Sequence, residues 1–133
     1  YFVTDRSLTN LVWVYSPNTG TPGTSYDPVI YYPGDAHVDV VGLDTYQPET
    51  TWNLGGLKGY AEVVALGKPF YFTEIGPKKG VTPLGTYDYA QVLAGMKTTY
   101  PKSVGFLAWG RNFSLAANKN AAAMLADPWV VNR

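Results

Sequence analysis

The residues in this chain with types suited to chemistry fall where apolar runs stop. Glu74 follows the run Phe70–Thr73 and precedes Ile75-Gly76. Asp44 and Tyr46 follow Val38–Leu43, and Trp109 closes Val104–Trp109 just before Gly110-Arg111. A first run, Leu11–Tyr15, stops at Ser16-Pro17-Asn18. A carboxylate at the mouth of a buried strand can attack an anomeric carbon and form a glycosyl-enzyme intermediate. A neighbouring phenol can fix that carboxylate by hydrogen bonding and keep it ionised. An indole offers a floor for a sugar ring, and a guanidinium can contact its hydroxyls. Each residue also has a plainer reading. Glu74 could cap a helix or sit in an ion pair, Asp44 could form a turn, and Tyr46 could be a rim aromatic. Trp109 could belong to the core, and Arg111 could simply pair with an acid.

Such residues need elements that bring the run ends together. The four runs are rich in Val, Phe, Tyr and Trp and lack clean polar alternation, as expected of parallel strands buried on both faces. Helical spacing follows three of them. Leu54, Leu57, Ala61 and Val64 form one face ended by Gly67-Lys68-Pro69; Tyr89, Val92, Leu93, Met96 and Tyr100 form another closed by Pro101. Asn120–Ala126 reads as a short helix stopped by Asp127-Pro128. After the first run, Ser16–Ser25 should be a loop, with a short helix around Pro28–Tyr32.

Strand then helix, four times over, predicts an α/β chain with a parallel sheet and right-handed crossovers, forming one domain over residues 1–133. Ligands of such proteins gather at the carboxyl ends of the strands, where Glu74, Asp44, Tyr46, Trp109 and Arg111 fall. The alternation does not separate a small doubly wound sheet from half of a closed barrel. At 133 residues, the chain is well short of the roughly 250 that a complete eight-stranded barrel takes.

Composition narrows the ligand. Lys plus Arg and Asp plus Glu are ten each, giving a formal net charge of zero, so nothing points to nucleic acid or an anionic membrane surface. Charged residues are 15% and aromatics another 15%, with eleven tyrosines and four tryptophans; that surface suits a neutral polyhydroxylated molecule. There are no cysteines, and hence no disulfide or thiolate chemistry. No apolar stretch approaches the roughly 20 residues that span a bilayer. His37, the one histidine, precedes a strand at the end opposite the candidate site and reads as structural. No metal-ligand spacing and no dinucleotide or phosphate-loop pattern is present, so no metal or cofactor is expected.

Four segments in order carry a family resemblance: Asn10-Leu-Val-Trp-Val-Tyr-Ser-Pro-Asn18; Tyr32-Pro-Gly-Asp35 leading into Val38-Asp-Val-Val-Gly-Leu-Asp-Thr-Tyr46; Lys68-Pro-Phe-Tyr-Phe-Thr-Glu-Ile-Gly76; and Gly105-Phe-Leu-Ala-Trp109. The chain resembles glycoside hydrolase family 26, the β-mannanase group, over essentially its whole length. The segments look like strands five to eight of that family's (β/α)8 TIM barrel. The resemblance implies a retaining glycosidase cleaving β-linked glycans such as β-1,4-mannan or β-glucan. In it Glu74 matches the nucleophile, Tyr46 the tyrosine that holds it, Asp44 a structural acid and Trp109 the tryptophan beneath the sugar. Arg111 departs from the pattern, because the family commonly has arginine directly after the tryptophan and Gly110 intervenes here.

The resemblance also implies a missing partner. The family's acid/base glutamate ends the fourth strand, and this chain starts in what would be the helix after it. Asp44 and Glu49 are the carboxyl groups that could approach Glu74, and neither matches the family's acid. A four-stranded half barrel leaves open edges and apolar surface, which drive association. The expectation is a homodimer, or docking of the missing half. The alternative is a catalytically silent half barrel that folds and at most binds sugars. Relatives of this type generally work outside the cell.

Overall fold

A computed structural model describes residues 2–131. Four strands form one parallel sheet: β1 (Val14–Tyr15), β2 (Val40–Tyr46), β3 (Phe70–Gly76) and β4 (Ser103–Ala108), in spatial order β1-β2-β3-β4. The strands are laid down side by side in chain order, with no reversal of the kind that marks the switch point of a doubly wound sheet. Right-handed crossovers progressing in one direction place their connections on one face.

The core lies on that face. Val41, Leu43, Phe70, Phe72 and Ile75 of the two central strands are fully buried. Helix α2 (Tyr89–Thr98) covers them with Tyr89, Val92, Leu93 and Met96, the face read from the sequence spacing. Its first turn is capped by Asp88, whose carboxylate accepts the Ala90 and Gln91 amides. Trp52 lies edge-on to Phe72 and Tyr100, with ring centroids 4.8 and 5.9 Å apart. Its indole N–H donates to the buried Tyr87 hydroxyl at 2.8 Å, so the polar atoms of both rings are satisfied inside the core.

Several expectations need correction. The predicted helix from Leu54 onward is a 3-10 turn, Glu49–Asn53, followed later by the five-residue helix α1 (Tyr60–Val64). Gly55, Gly56 and Gly59 have φ of 72°, 76° and 85°, so helical backbone cannot begin before Tyr60, and Leu54 is exposed. The segment around Pro28–Tyr32 forms turns without a helix. The short helix expected over Asn120–Ala126 is present as α3, Ala121–Leu125, with Asn120 and Ala126 as its caps.

The outer strands depart from burial on both faces. Of the first run only Val14 and Tyr15 are strand, and Val12 and Val14 are 66% and 49% exposed. On β4, Val104 and Leu107 are 65% and 60% exposed. Each of these strands pairs on one side only among the described residues, so no strand lies along its other edge there.

Candidate active site

The carboxyl end of the sheet brings Asp44, Tyr46 and Glu74 together. Asp44 is in register with Glu74, and Tyr46 with Gly76, on the paired strands β2 and β3. The Tyr46 hydroxyl donates to Glu74 Oε2 at 2.7 Å. Helix capping and ion pairing do not describe Glu74 here: Asp88 caps α2, and the Glu74 side chain is engaged by the phenol.

An irregularity in β3 makes this meeting possible. Gly42 is in register with Tyr71 and Asp44 with Glu74, so β2 advances two residues while β3 advances three. The pairing with β4 shows the same extra residue, since Phe72 is opposite Phe106 and Ile75 opposite Ala108. Strict alternation from the buried Phe70 and Phe72 would send Glu74 toward the helices. The bulge keeps Ile75 buried on the helix face and turns Thr73 and Glu74 together to the other side. Thr73 packs where a Gly42 side chain would sit: a Cβ there would lie 2.6 Å from Thr73 Cγ2 and 2.5 Å from the Tyr71 carbonyl oxygen. Gly42 is thus required by space, not by its backbone angles.

Asp44 is tied to the first strand unit. Ser16 Oγ donates to its Oδ1 at 2.9 Å, its amide donates to the Pro17 carbonyl, and its own carbonyl accepts from the Thr19 amide. Burial raises the Asp44 carboxyl above the ordinary aspartate range, and the neighbouring charge of Glu74 adds to the rise. The Ser16 hydroxyl and the nearby Thr73 hydroxyl oppose it; the latter is buried with no hydrogen bond at ordinary distance. The Tyr46 phenol is pushed far above its usual value, first by burial and then by its bond to Glu74. It therefore remains a donor throughout the neutral range.

The remaining candidates lie on the loop after β4. Trp109 follows the strand, with its amide bonded to the Ile75 carbonyl at 2.9 Å and its side chain half exposed; it is not a core residue. Arg111 is exposed and has φ 55°, an uncommon backbone conformation for a residue with a side chain. Glu49 starts the 3-10 turn after β2. His37 is exposed in a 3-10 turn ahead of β2, away from this end of the sheet. Among the described residues no group of three or more acidic or histidine side chains is placed to hold a metal.

One residue at the site was missed in the sequence. Phe113, in the 3-10 turn Arg111–Phe113, lies edge-on to Tyr46 with centroids 5.8 Å apart. Gly76 serves the same contact. It ends β3 without a left-handed φ, and it gives room to both rings: a Cβ there would lie 3.0 Å from Phe113 Cδ1 and 3.1 Å from Tyr46 Cε1.

Comparison with known proteins gives one consistent answer. A model described as glycosyl hydrolase family 26 matches residues 1–133. A mannan endo-1,4-β-mannosidase of Bacillus subtilis (strain 168) is 40% identical over 134 residues, which are all of this chain and 34% of that protein. The mannan endo-1,4-β-mannosidase A and B of Caldalkalibacillus mannanilyticus is also 40% identical, matching all of this chain and 24% of its own length. Among solved structures, the Bacillus subtilis mannanase BCman superposes with a TM-score of 0.84 at 39% identity, over the whole chain and 36% of that structure. The chain thus spans between a quarter and somewhat over a third of these relatives.

Proposed function

The chain belongs to glycosyl hydrolase family 26, and on that premise we propose that it supplies the nucleophile side of a retaining glycosidase acting on β-1,4-linked mannan. The observation that carries this reading is the 2.7 Å bond from Tyr46 to Glu74 Oε2 at the carboxyl ends of adjacent parallel strands. One carboxylate oxygen is held by the phenol, and Oε1 is left to attack the anomeric carbon. The glycosidic C–O bond breaks as Glu74 forms an ester with the sugar, and the leaving oxygen takes a proton from an acid. Water then displaces Glu74, with the same acid acting as base. Trp109, half exposed beside β4, provides the floor for the ring, and Arg111 contacts substrate hydroxyls. β-Mannan is favoured over β-glucan because the 40%-identical relatives carry that activity in their names.

The acid/base lies outside residues 1–133 in this reading. Retention needs a second carboxyl about 5–5.5 Å from the first. Asp44 is adjacent to Glu74 but is held by Ser16 and by strand pairing, which suits a structural acid. The sheet is then half of a (β/α)8 barrel. The open edges at β1 and β4, with exposed Val12, Val14, Val104 and Leu107, are covered either by the remainder of a longer polypeptide or by a second copy. Their exposure also favours a second reading, a silent half barrel that folds, associates through those edges and binds sugar without turnover.

The test is a chimera in which this chain replaces the segment it matches in the Bacillus subtilis mannosidase, assayed on β-mannan beside the 133-residue chain, with sizing of both. We expect the chimera to hydrolyse mannan and Glu74→Gln to lower kcat by on the order of a thousandfold or more. A folded chimera whose activity survives Glu74→Gln would overturn the assignment. Activity of the chain alone, eluting as a dimer, would place the second carboxyl in a partner copy.

A further inference from the structure

The hydrogen bond at Glu74 depends on where the Tyr46 ring sits, and the structure shows what fixes that ring. Tyr46 is the last residue of β2, so backbone pairing does not hold its side chain beyond the sheet. Its ring meets the edge of Phe113 at 77° and 5.8 Å between centroids. Gly76 is in register with Tyr46 and closes the other side of the contact. Phe113 is itself anchored: its carbonyl accepts the Tyr89 hydroxyl from α2, and its amide donates to Gly110 at 3.3 Å. The Trp109 amide fastens the same loop to Ile75.

We propose that Phe113 is a positioning residue which, wedged against Gly76, holds the Tyr46 phenol on Glu74 and so acts on catalysis through Tyr46 without touching substrate. The inference rests on the reading of Glu74 as nucleophile. It adds that the loop after β4 has two duties, presenting Trp109 and bracing the phenol from the far side. Phe113 occupies ground that a sequence reading leaves to loop filler. A Cβ at position 76 would press on both rings, 3.0 Å from Phe113 Cδ1 and 3.1 Å from Tyr46 Cε1, so Gly76 is what leaves them room.

The experiment uses Phe113→Ala, Phe113→Leu, Gly76→Ala and Tyr46→Phe, alone and with Phe113→Ala combined with Tyr46→Phe. Kinetics are read in the chimera. Phe113→Ala should lower kcat roughly tenfold to a hundredfold with KM little changed, and Gly76→Ala should do the same by displacing the ring. Phe113→Leu, which keeps most of the volume, should recover part of the loss. In the Tyr46→Phe background Phe113→Ala should cost almost nothing more, because the phenol it serves is gone.

Full additivity of the two substitutions in a folded chimera would refute the role. Loss of the nucleophile assignment would show separately, as activity retained by Glu74→Gln.

Discussion

At the scale of single residues, the site combines one hydrogen-bonded carboxylate with one partly buried neighbour. Tyr46 engages Glu74, while Asp44 is kept partly out of water beside it. The Asp44 carboxyl is raised in the folded chain, so its ionised form opposes folding. Stability from this group is fullest below about pH 4, the unfolded aspartate value, and declines as pH rises through the higher folded value. Asp44→Asn cannot ionise and still offers Oδ1 to Ser16. It should melt at a higher temperature than the parent at pH 7, with the gain shrinking toward about pH 3. Thermal melts of both proteins at the two pH values check this; equal melting at pH 7 would show that burial of the charge carries no cost. Glu74, Asp44 and Tyr46 were legible because apolar runs stop at them. Phe113 was not, since a lone aromatic between Asn112 and Ser114 carries no periodic signal and its partners are 37 and 67 residues away in the chain.

At the scale of elements, the bulge in β3 decides which way Glu74 faces. Its trace in the sequence is slight. Phe70 and Phe72 keep a period of two, and the next buried apolar residue is Ile75 instead of a residue at 74. A reader expecting a strand buried on both faces has no reason to count that step, so the run marked Glu74 as a strand end without revealing how it turns. Helix α2 was legible because Tyr89, Val92, Leu93 and Met96 repeat at helical spacing; α1 was not, because the glycines at 55, 56 and 59 break a pattern that Leu54 and Leu57 suggest.

The bulge also has a steric condition. A side chain on Gly42 would strike the Tyr71 carbonyl and Thr73, and the former, being backbone, yields only if the strand moves. Gly42→Ala should therefore cost about 1–3 kcal/mol of stability through overpacking, and lower activity with it by displacing Thr73 and Glu74. Denaturant midpoints give the first quantity. An alanine variant as stable as the parent would mean that the two strands are not held as closely as this register requires.

At the scale of the whole molecule, four parallel strands in chain order put every candidate residue at one end of one sheet. Sequence alone reached the strand-helix alternation and the shared end. The lateral order of the strands and the exposure of the outer two depend on contacts between distant segments, and no local pattern encodes those. The exposed residues of β1 and β4 fit a sheet that continues into further structure, in keeping with a chain spanning 34% of its Bacillus subtilis relative.

The central claim is that Glu74 forms a bond to sugar, and one labelling experiment tests it with little dependence on the rest of the barrel. A 2-deoxy-2-fluoro-β-mannosyl fluoride carries a leaving group that departs without a proton, so the nucleophile can react even where the acid/base is absent. The chimera and the 133-residue chain would be incubated with it, digested, and mapped by mass spectrometry. The account predicts a single fluoromannosyl adduct on Glu74 in the chimera, lost in Glu74→Gln. An adduct on another carboxylate, or one that persists in Glu74→Gln, would contradict it.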